Sequence, residues 1–478
     1  MAHAPVALPR LRERGRLAAL VSTVVHQARR QEGWHEPDRR TLRTWRQFVL
    51  GIVVARSTRL VTVGQAVLGQ RTARSVKAVA MALGYFASVA AFPAPTVSPQ
   101  VLEAAARQLD PTQVATYRGK VVLALDPTEY PKRSRGANSK TGRHMQHVGR
   151  VRKATKGGGG GGRRARRRSM PAGGAARGAV DRVATTAGYV DVWAGLVLRG
   201  KQLLPLARAL FSSAHPALTG QNKVEEAVLD AALALLERLG WAAILVADRG
   251  LGRKELLVAL VAQGRDFVLR IDADITVYTA VTPDGAPLAV ALAAQPWRGE
   301  VVWDRGQEGA LRCRARRLTA TVRFSRTGRH TDYAAATLHV VELVPLDGQG
   351  GHTQPLVLAT TLPVATLADV KGVVRVYSWR WAIETAFETM KAWGLGRFMV
   401  RRWQAIDRLL WLVAVAYALL VLAARDGPLT LLREQAVALL KRLAVLGRHL
   451  TVGKLAEAIG LDYARHRRAW TTAWLTGT

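Results

Sequence analysis

Cysteine is almost missing. The 478-residue chain holds one, Cys313, which excludes an internal disulfide framework and a cysteine-based zinc site. A reducing intracellular setting, the cytoplasm, fits that usage. Acid is scarce as well: Asp and Glu total 34 against 70 Lys and Arg, a formal net charge of +36. Folding gives no reason for such an excess, because like charges repel in the compact state. It points to a polyanionic partner, nucleic acid or an anionic membrane surface. Long apolar runs are also lacking. "MAHAPVALPRLRERGRL" has no apolar core long enough for a signal peptide. The most membrane-like run, "LLWLVAVAYALLVLAA" (409–424), has 16 residues, where a bilayer span needs about 20. It is apolar all round, so it does not suit a basic amphipathic helix lying on lipid. It reads as a core helix, and no membrane partner is expected.

Hydrophobic residues make up 49% of the chain, enough for most of it to fold. Residues 1–118 read as helical. In "TVGQAVLGQRTARSVKAVAMALGYF" a helix ending near Leu68, a turn at Gly69-Gln70 and a second helix capped by Thr72 form a helix-turn-helix pattern. Arg71, Arg74 and Lys77 sit where its second helix would meet DNA, so 1–118 is expected to be a helical DNA-binding region. From 119 the character changes. "KVVLALD" and "AAILVAD" are buried strands ending at Asp126 and Asp248, and "YVDVWAGLVLRGKQLLPLA" is two strands about an Arg199-Gly200 turn. "NKVEEAVLDAALALLERLG" is a helix with an Asn222/Glu225 cap and a closing Gly240. The order predicts an α/β domain over 119–394, its sheet covered by helices on both faces. "ALRCRARRLTATVRF", "TLHVVELVP" and "PLVLATTL" add a β-rich insertion at about 275–372. Residues 395–478 are helical again, with breaks near Gly427-Pro428 and Gly447, a candidate oligomerisation region.

The chemistry-bearing residues fall in three places. Asp126 and Asp248 each close an apolar strand, and on neighbouring strands they would lie side by side and repel without a cation between them. "YSWRWAIETAFETMK" (377–391) carries Tyr377, Arg380, Glu384 and Lys391 at helical spacing, one polar stripe on a mostly apolar segment. Glu384 supplies a third carboxylate, although spacing alone does not separate it from Glu388 one turn on. Three hard oxygen donors without a Cys/His cluster suit Mg²⁺, with Mn²⁺ as a substitute. Two such ions activate water and stabilise the leaving oxygen of a phosphodiester. His144 and His147 in "RHMQHVGR" read as a phosphate-facing basic loop rather than metal ligands, Glu129 as a local turn partner, and Asp272 and Asp274 as a strand exit.

With these residues in place, the chain resembles a bacterial insertion-sequence transposase of the Asp-Asp-Glu type, and more narrowly the group with a Tyr-x₂-Arg-x₃-Glu-x₆-Lys signature. Tyr377, Arg380, Glu384 and Lys391 match every interval; "LALDPTEYPK" resembles the first-Asp block and "LVADRGLGRKEL" the second, with Arg249 and Gly250 following the acid. The resemblance covers about residues 119–395 and selects Glu384 over Glu388. It implies a ribonuclease-H-like core, with Asp126, Asp248 and Glu384 catalytic and metal-binding. It also implies Mg²⁺-dependent cleavage at transposon ends, a hairpin on the end, and attack of a 3′-OH on target DNA. Tyr377, Arg380, Trp381, Lys391 and Arg249 would contact DNA, with Trp381 flanking the stripe and facing the end, and two ends imply a homodimer. A nuclease of the same fold without strand transfer, or a DNA-binding relic, are the alternatives; strand joining and Mg²⁺-dependent nicking separate them.

The run "RVRKATKGGGGGGRRARRRS" is not expected from the resemblance. Between Lys132 and Arg182 stand 16 Lys/Arg and one acid, so +15 of the +36 lies in one segment. With little apolar content to bury, it is expected to remain a mobile basic arm. Deleting Gly157 to Arg168 removes five arginines. It should leave thermal unfolding unchanged and lower the log–log salt slope of DNA binding by about 4 to 5. An unchanged slope means the arm does not touch DNA.

Overall fold

The computed structural model describes residues 14–31, 34, 37–68, 73–88, 94–132, 145–152, 185–325, 333–346, 354–398, 400–425, 430–442 and 450–465. The glycine–arginine run, Arg71, His144 and the breaks at Gly427-Pro428 and Gly447 lie outside them. Five helices come first: α1 (Arg14–Ala28), α2 (Arg39–Ala55), α3 (Leu60–Leu68), α4 (Ala73–Ser88) and α5 (Ala94–Ala106). Asp38 starts α2 by accepting the Arg40 and Thr41 amides, both at 2.9 Å. α3 and α4 flank the expected break. Of the candidate DNA contacts there, Lys77 is exposed on α4, and Arg74 is described by its backbone alone.

The strands follow: β1 (Thr116–Tyr117), β2 (Lys120–Pro131), β3 (Gly149–Arg152), β4 (Thr185–Leu198) and β5 (Gln202–Phe211), then α6 (Gln221–Arg238), β6 (Ala243–Ala247), α7 (Lys254–Ala262) and β7 (Asp266–Arg270). Next come β8 (Thr276–Val277), β9 (Ala286–Pro287), α8 (Leu288–Ala293), β10 (Gly299–Asp304), β11 (Ala310–Ser325), β12 (Tyr333–Pro345) and β13 (Leu356–Thr360). The chain closes with α9 (Leu367–Ser378), α10 (Trp381–Ala392), α11 (Trp403–Ala423), α12 (Thr430–Arg442) and α13 (Val452–Arg465).

A large mixed sheet organises the α/β fold, in the order β10-β11-β12-β13-β7-β6-β2-β4-β3, with β5 also on β4 and β1 on β2. β6 runs parallel to β2 and to β7; the other pairings in this sheet are antiparallel. Val121–Leu125, Ile244–Ala247 and Phe267–Leu269 are consecutively buried. That pattern marks strands covered on both faces. The turn between β4 and β5 places Gly200 at φ +79° and Lys201 at φ +57°, the left-handed conformations a tight hairpin requires. β10 to β13 form the expected antiparallel array, while β8 and β9 pair apart as a two-stranded sheet, and β13 joins the array to the central sheet by pairing Leu358 with Arg270.

Three local expectations need correcting. β2 does not stop at Asp126 but runs to Pro131 along β4; its β6 neighbour ends at Ala247, opposite Leu125. Pro127 is tolerated because β2 has become one-sided there. α6 starts after Gly220 without a side-chain cap, and Glu225 is buried instead, accepting from Gln221 at 2.8 Å and Arg253 at 2.6 Å. The motif segment is two helices. At Trp379–Ile383 the backbone bonds tighten to i→i−3, as in Arg380 N to Tyr377 O at 3.0 Å and Ile383 N to Arg380 O at 3.1 Å.

α11 is long and apolar enough to cross a bilayer, yet 89% of its apolar window is buried. It packs on α2, α5 and β5, as the apolar run predicts. Its polar anchor is Arg208, fully buried on β5, which donates to Asp191 of β4 at 2.6 and 2.9 Å and to Asp407 of α11 at 2.6 Å. Asp191 also accepts from the Tyr130 hydroxyl at 3.0 Å and the Trp193 indole at 2.6 Å. A buried ion pair is tolerable when its partners are satisfied in this way.

Candidate active site

The register of two strands builds the site. Leu125 pairs with Ala247 in the parallel β2–β6 ladder, so the next residues, Asp126 within β2 and Asp248 just past the end of β6, follow side by side. β6 then turns away through a short 3₁₀ segment, Arg249–Leu251. The turn lies hard against β7. A Cβ on Gly252 would meet the Arg270 carbonyl oxygen at 2.1 Å, so glycine is required for that approach. Beside the two acids opens a pocket of ≈ 280 Å³ whose walls include Glu129, Val190, Gln221, Glu225 and Gly250.

α9 and α10 bring in the rest. Thr366 and Asp369 form a capping box at the start of α9. Gly372 lets that helix ride on Tyr117, whose hydroxyl oxygen lies 2.1 Å from where a Cβ would stand. Tyr377, 1% exposed, donates its hydroxyl to Asp248 Oδ1 at 3.2 Å. Arg380, 5% exposed, binds Glu384 Oε1 at 2.6 Å. Its guanidinium carbon lies 5.6 Å from the Tyr377 ring centroid and 5.2 Å from that of Trp381, and its Nε is buried without a partner. Lys391 is exposed and feels the charges of Asp126, Glu129, Glu388 and Glu384.

The charges are balanced unevenly. Desolvation pushes the Asp126 carboxyl up to about 7, against the pull of Arg380 and with the repulsion of Glu384 and Asp248 added. Desolvation also acts to raise Asp248, but Arg380, the Arg249 amide, Arg270 and the Tyr377 hydroxyl outweigh it and hold that carboxyl below its usual value. Glu384 is raised by desolvation in spite of Arg380, with Asp248 and Glu308 adding to the rise.

Sequence reading did not single out two neighbours. Arg270, which ends β7, lies 3.5 Å from Asp248 Oδ1. The strand-end rule that pointed to Asp248 finds it too once β7 is placed beside β6. Glu308 comes from the turn between β10 and β11, far off in sequence, and no local signal marks it. The same turn covers Trp381, whose Cγ lies 3.2 Å from the position of a Gly306 Cβ. Trp381 is thus half-buried against that turn, neither in the core nor free. Arg249 turns its side chain to Asp272, at 3.2 Å. Glu388 is exposed one turn beyond Glu384.

Three acids that crowd one another, of which Asp126 holds its proton to about 7, are the donor chemistry a hard divalent cation would relieve. The donors fit such an ion in kind. They are not closed around one: among the described residues no three Asp, Glu, His or Cys side chains converge as a ligand set, and Glu384 is held by Arg380.

Residues 214–419 match the family described as Transposase DDE domain. The match supports a DDE transposase of the insertion-sequence type. The matched span holds Asp248 and the whole 377–391 motif. It begins after Asp126, whose place rests on its register with β6. None of the curated proteins matches the chain.

The electrostatics make a prediction. Folded Asp126 keeps its proton up to about pH 7, whereas an unfolded carboxyl loses it near 3.8. The cost to stability therefore grows from about pH 4 to about pH 7 and is constant above. Asp126→Asn removes it, so the variant should be more stable than wild type by about 1–2 kcal/mol at about pH 8, a value discounted for partial exposure, and no more stable at about pH 4. Denaturant unfolding at the two pH values measures this. Added Mg²⁺ should close the gap at the higher pH by stabilising the wild type.

Proposed function

We propose that the chain is a DNA transposase with a ribonuclease-H-like core, in which Asp126, Asp248 and Glu384 hold Mg²⁺, or Mn²⁺ in its stead, and cut the ends of a mobile element. The observation that carries this is the register of β2 and β6. It sets two carboxylates side by side at the open edge of adjacent parallel strands, under the helix that bears Glu384. Support for the core comes from the strand order β5-β4-β2-β6-β7: three antiparallel strands, then two added in parallel after intervening helices.

The bound cation would activate a water and stabilise the leaving oxygen of the cut phosphodiester. The chain's own residues do the rest. Tyr377 fixes the rotamer of Asp248 through its hydroxyl. Arg380, buried and permanently charged, offsets three carboxylates at once, and binding of a cation to Glu384 would free its guanidinium for a phosphate. Exposed Lys391 offers a second cation beside Asp126. The half-buried Trp381 ring flanks that path. A hairpin on the element's end, joining of the 3′-OH to target DNA and a dimer that pairs two ends belong to the same reading, as does DNA binding by α3 and α4.

Asp126→Asn, Asp248→Asn and Glu384→Gln should each lower Mg²⁺-dependent cleavage of end DNA by at least about 10³-fold, with DNA binding retained. Glu388→Gln should cut normally. Full activity in any of the three removes that residue from the site, and loss confined to Glu388→Gln moves the role one turn along α10. Incubating pre-cut ends with target DNA completes the test: joined product is expected, and cutting without joining leaves a nuclease of the same fold.

A further inference from the structure

His147 and His215 have no part in the site above. Their ring centroids lie 4.5 Å apart, and the Trp403 indole closes the group at 4.6 Å from His215 and 6.0 Å from His147. All three side chains are half-buried. The group is held firmly. The Gln146 side-chain oxygen accepts the Trp403 amide at 2.9 Å, the Gln146 carbonyl accepts the Tyr189 hydroxyl at 2.6 Å, and the His147 carbonyl accepts the Ser212 hydroxyl. His147 adopts φ +51° within this clasp. Behind it, Trp403 meets Tyr189, Tyr189 meets Phe398, and Phe398 meets Tyr130 of β2, with centroids 5.9 to 6.3 Å apart. An aromatic spine thus ties the surface group to the strand that carries Asp126.

Around it stand Arg150, Arg401 and Arg402, all exposed. Each lies within three residues of His147 or Trp403 in sequence, and among the described residues no acid pairs with any of them. An aromatic and imidazole surface with three exposed arginines beside it in the chain, on a chain of net charge +36, is complementary to a nucleic-acid backbone. Its displacement from Asp126 along the strand direction follows from β2. Asp126 pairs with Trp193 and Pro131 with Gly188, which in turn pairs with Gly149. Five residues of strand span about 17 Å, and B-DNA rises about 3.4 Å per base pair.

We propose that His147, His215 and Trp403, with Arg150, Arg401 and Arg402, form a second docking surface for duplex DNA, gripping its backbone about five base pairs from the phosphate held at Asp126. This rests on the transposase reading for the identity of the partner as DNA. The surface fixes the direction in which the duplex leaves the active site. The guanidinium groups hold phosphates, and the ring platform packs against the sugar edge between them.

The test uses full-length protein, mixed-sequence duplex DNA and no divalent metal, so it does not depend on cleavage. Arg401→Ala/Arg402→Ala should reduce the log–log salt slope of binding by about 2, and Arg401→Lys/Arg402→Lys should restore it. Phosphate-ethylation interference locates the contacts. Positions silenced in the alanine variant should lie about five base pairs from those silenced in Lys391→Ala. His215→Ala should weaken binding at about pH 8 without changing the slope, since a neutral imidazole releases no counterion. An unchanged slope in the double alanine variant overturns the proposal, as does interference that coincides with the Lys391 positions. If all three acid variants of the preceding section cut DNA normally, the metal-site reading fails, while this titration still reports on the surface.

Discussion

Two like charges on neighbouring strands are the constraint around which the molecule is arranged. The parallel register of β2 and β6 forces Asp126 and Asp248 together, and α10 adds Glu384. Each acid settles differently. Asp126 keeps a proton to about pH 7, Asp248 is held ionised by Arg380, Arg270 and the Tyr377 hydroxyl, and Glu384 takes Arg380 directly. Arg380 is therefore the common counter-ion. Its burial between Tyr377 and Trp381 keeps it from water, where its charge would be screened. The tight junction between α9 and α10 serves the same end, since i and i+3 eclipse in such a turn and Tyr377 is brought under Arg380.

The rest of the fold holds these elements in place. α11 is a core helix; it ties the N-terminal helices to β5, and through Arg208 and Asp191 it reaches β4. Trp193 of β4, the register partner of Asp126, donates to Asp191 and meets Phe387 of α10 edge on at 6.0 Å. The buried ion network and the helix bearing Glu384 thus touch the same indole. From the other side, the turn at Gly306–Glu308 rests on Trp381 and adds a carboxylate near Glu384. The β-rich insertion is part of the surroundings of the site, because β13 pairs with β7 and carries it there.

Much of this was legible in residues. "KVVLALD" and "AAILVAD" are unbroken apolar runs, and such runs form interior strands, so the two strands themselves were legible, with Asp248 just past the end of β6 and Asp126 inside the longer β2. The motif of 377–391 was legible as a polar stripe on helical segments. What was hidden depends on pairings that no local pattern encodes. β2 runs past Asp126 because β4 continues to pair with it, although Pro127 argues for a stop. The break between α9 and α10 leaves both Trp379 and Arg380 in right-handed helical dihedrals, so spacing does not reveal it. Glu225 resembles a helix cap in sequence but is buried as the partner of Arg253, and Glu308 reaches the site only through the strand order of the sheet. The His147 platform joins residues 147, 215 and 403, which are brought together by the ends of β5 and α11.

In the proposed function, the three carboxylates share a cation site once Glu384 leaves Arg380. Electron paramagnetic resonance of Mn²⁺ titrated into the protein–DNA complex tests it most directly. Mn²⁺ should bind at the complex, with affinity rising about tenfold per pH unit below about pH 7 as Asp126 gives up its proton. That affinity should be lost in Asp126→Asn and Asp248→Asn and reduced in Glu384→Gln. Mn²⁺ binding of equal strength in all three variants, without dependence on pH, would contradict it.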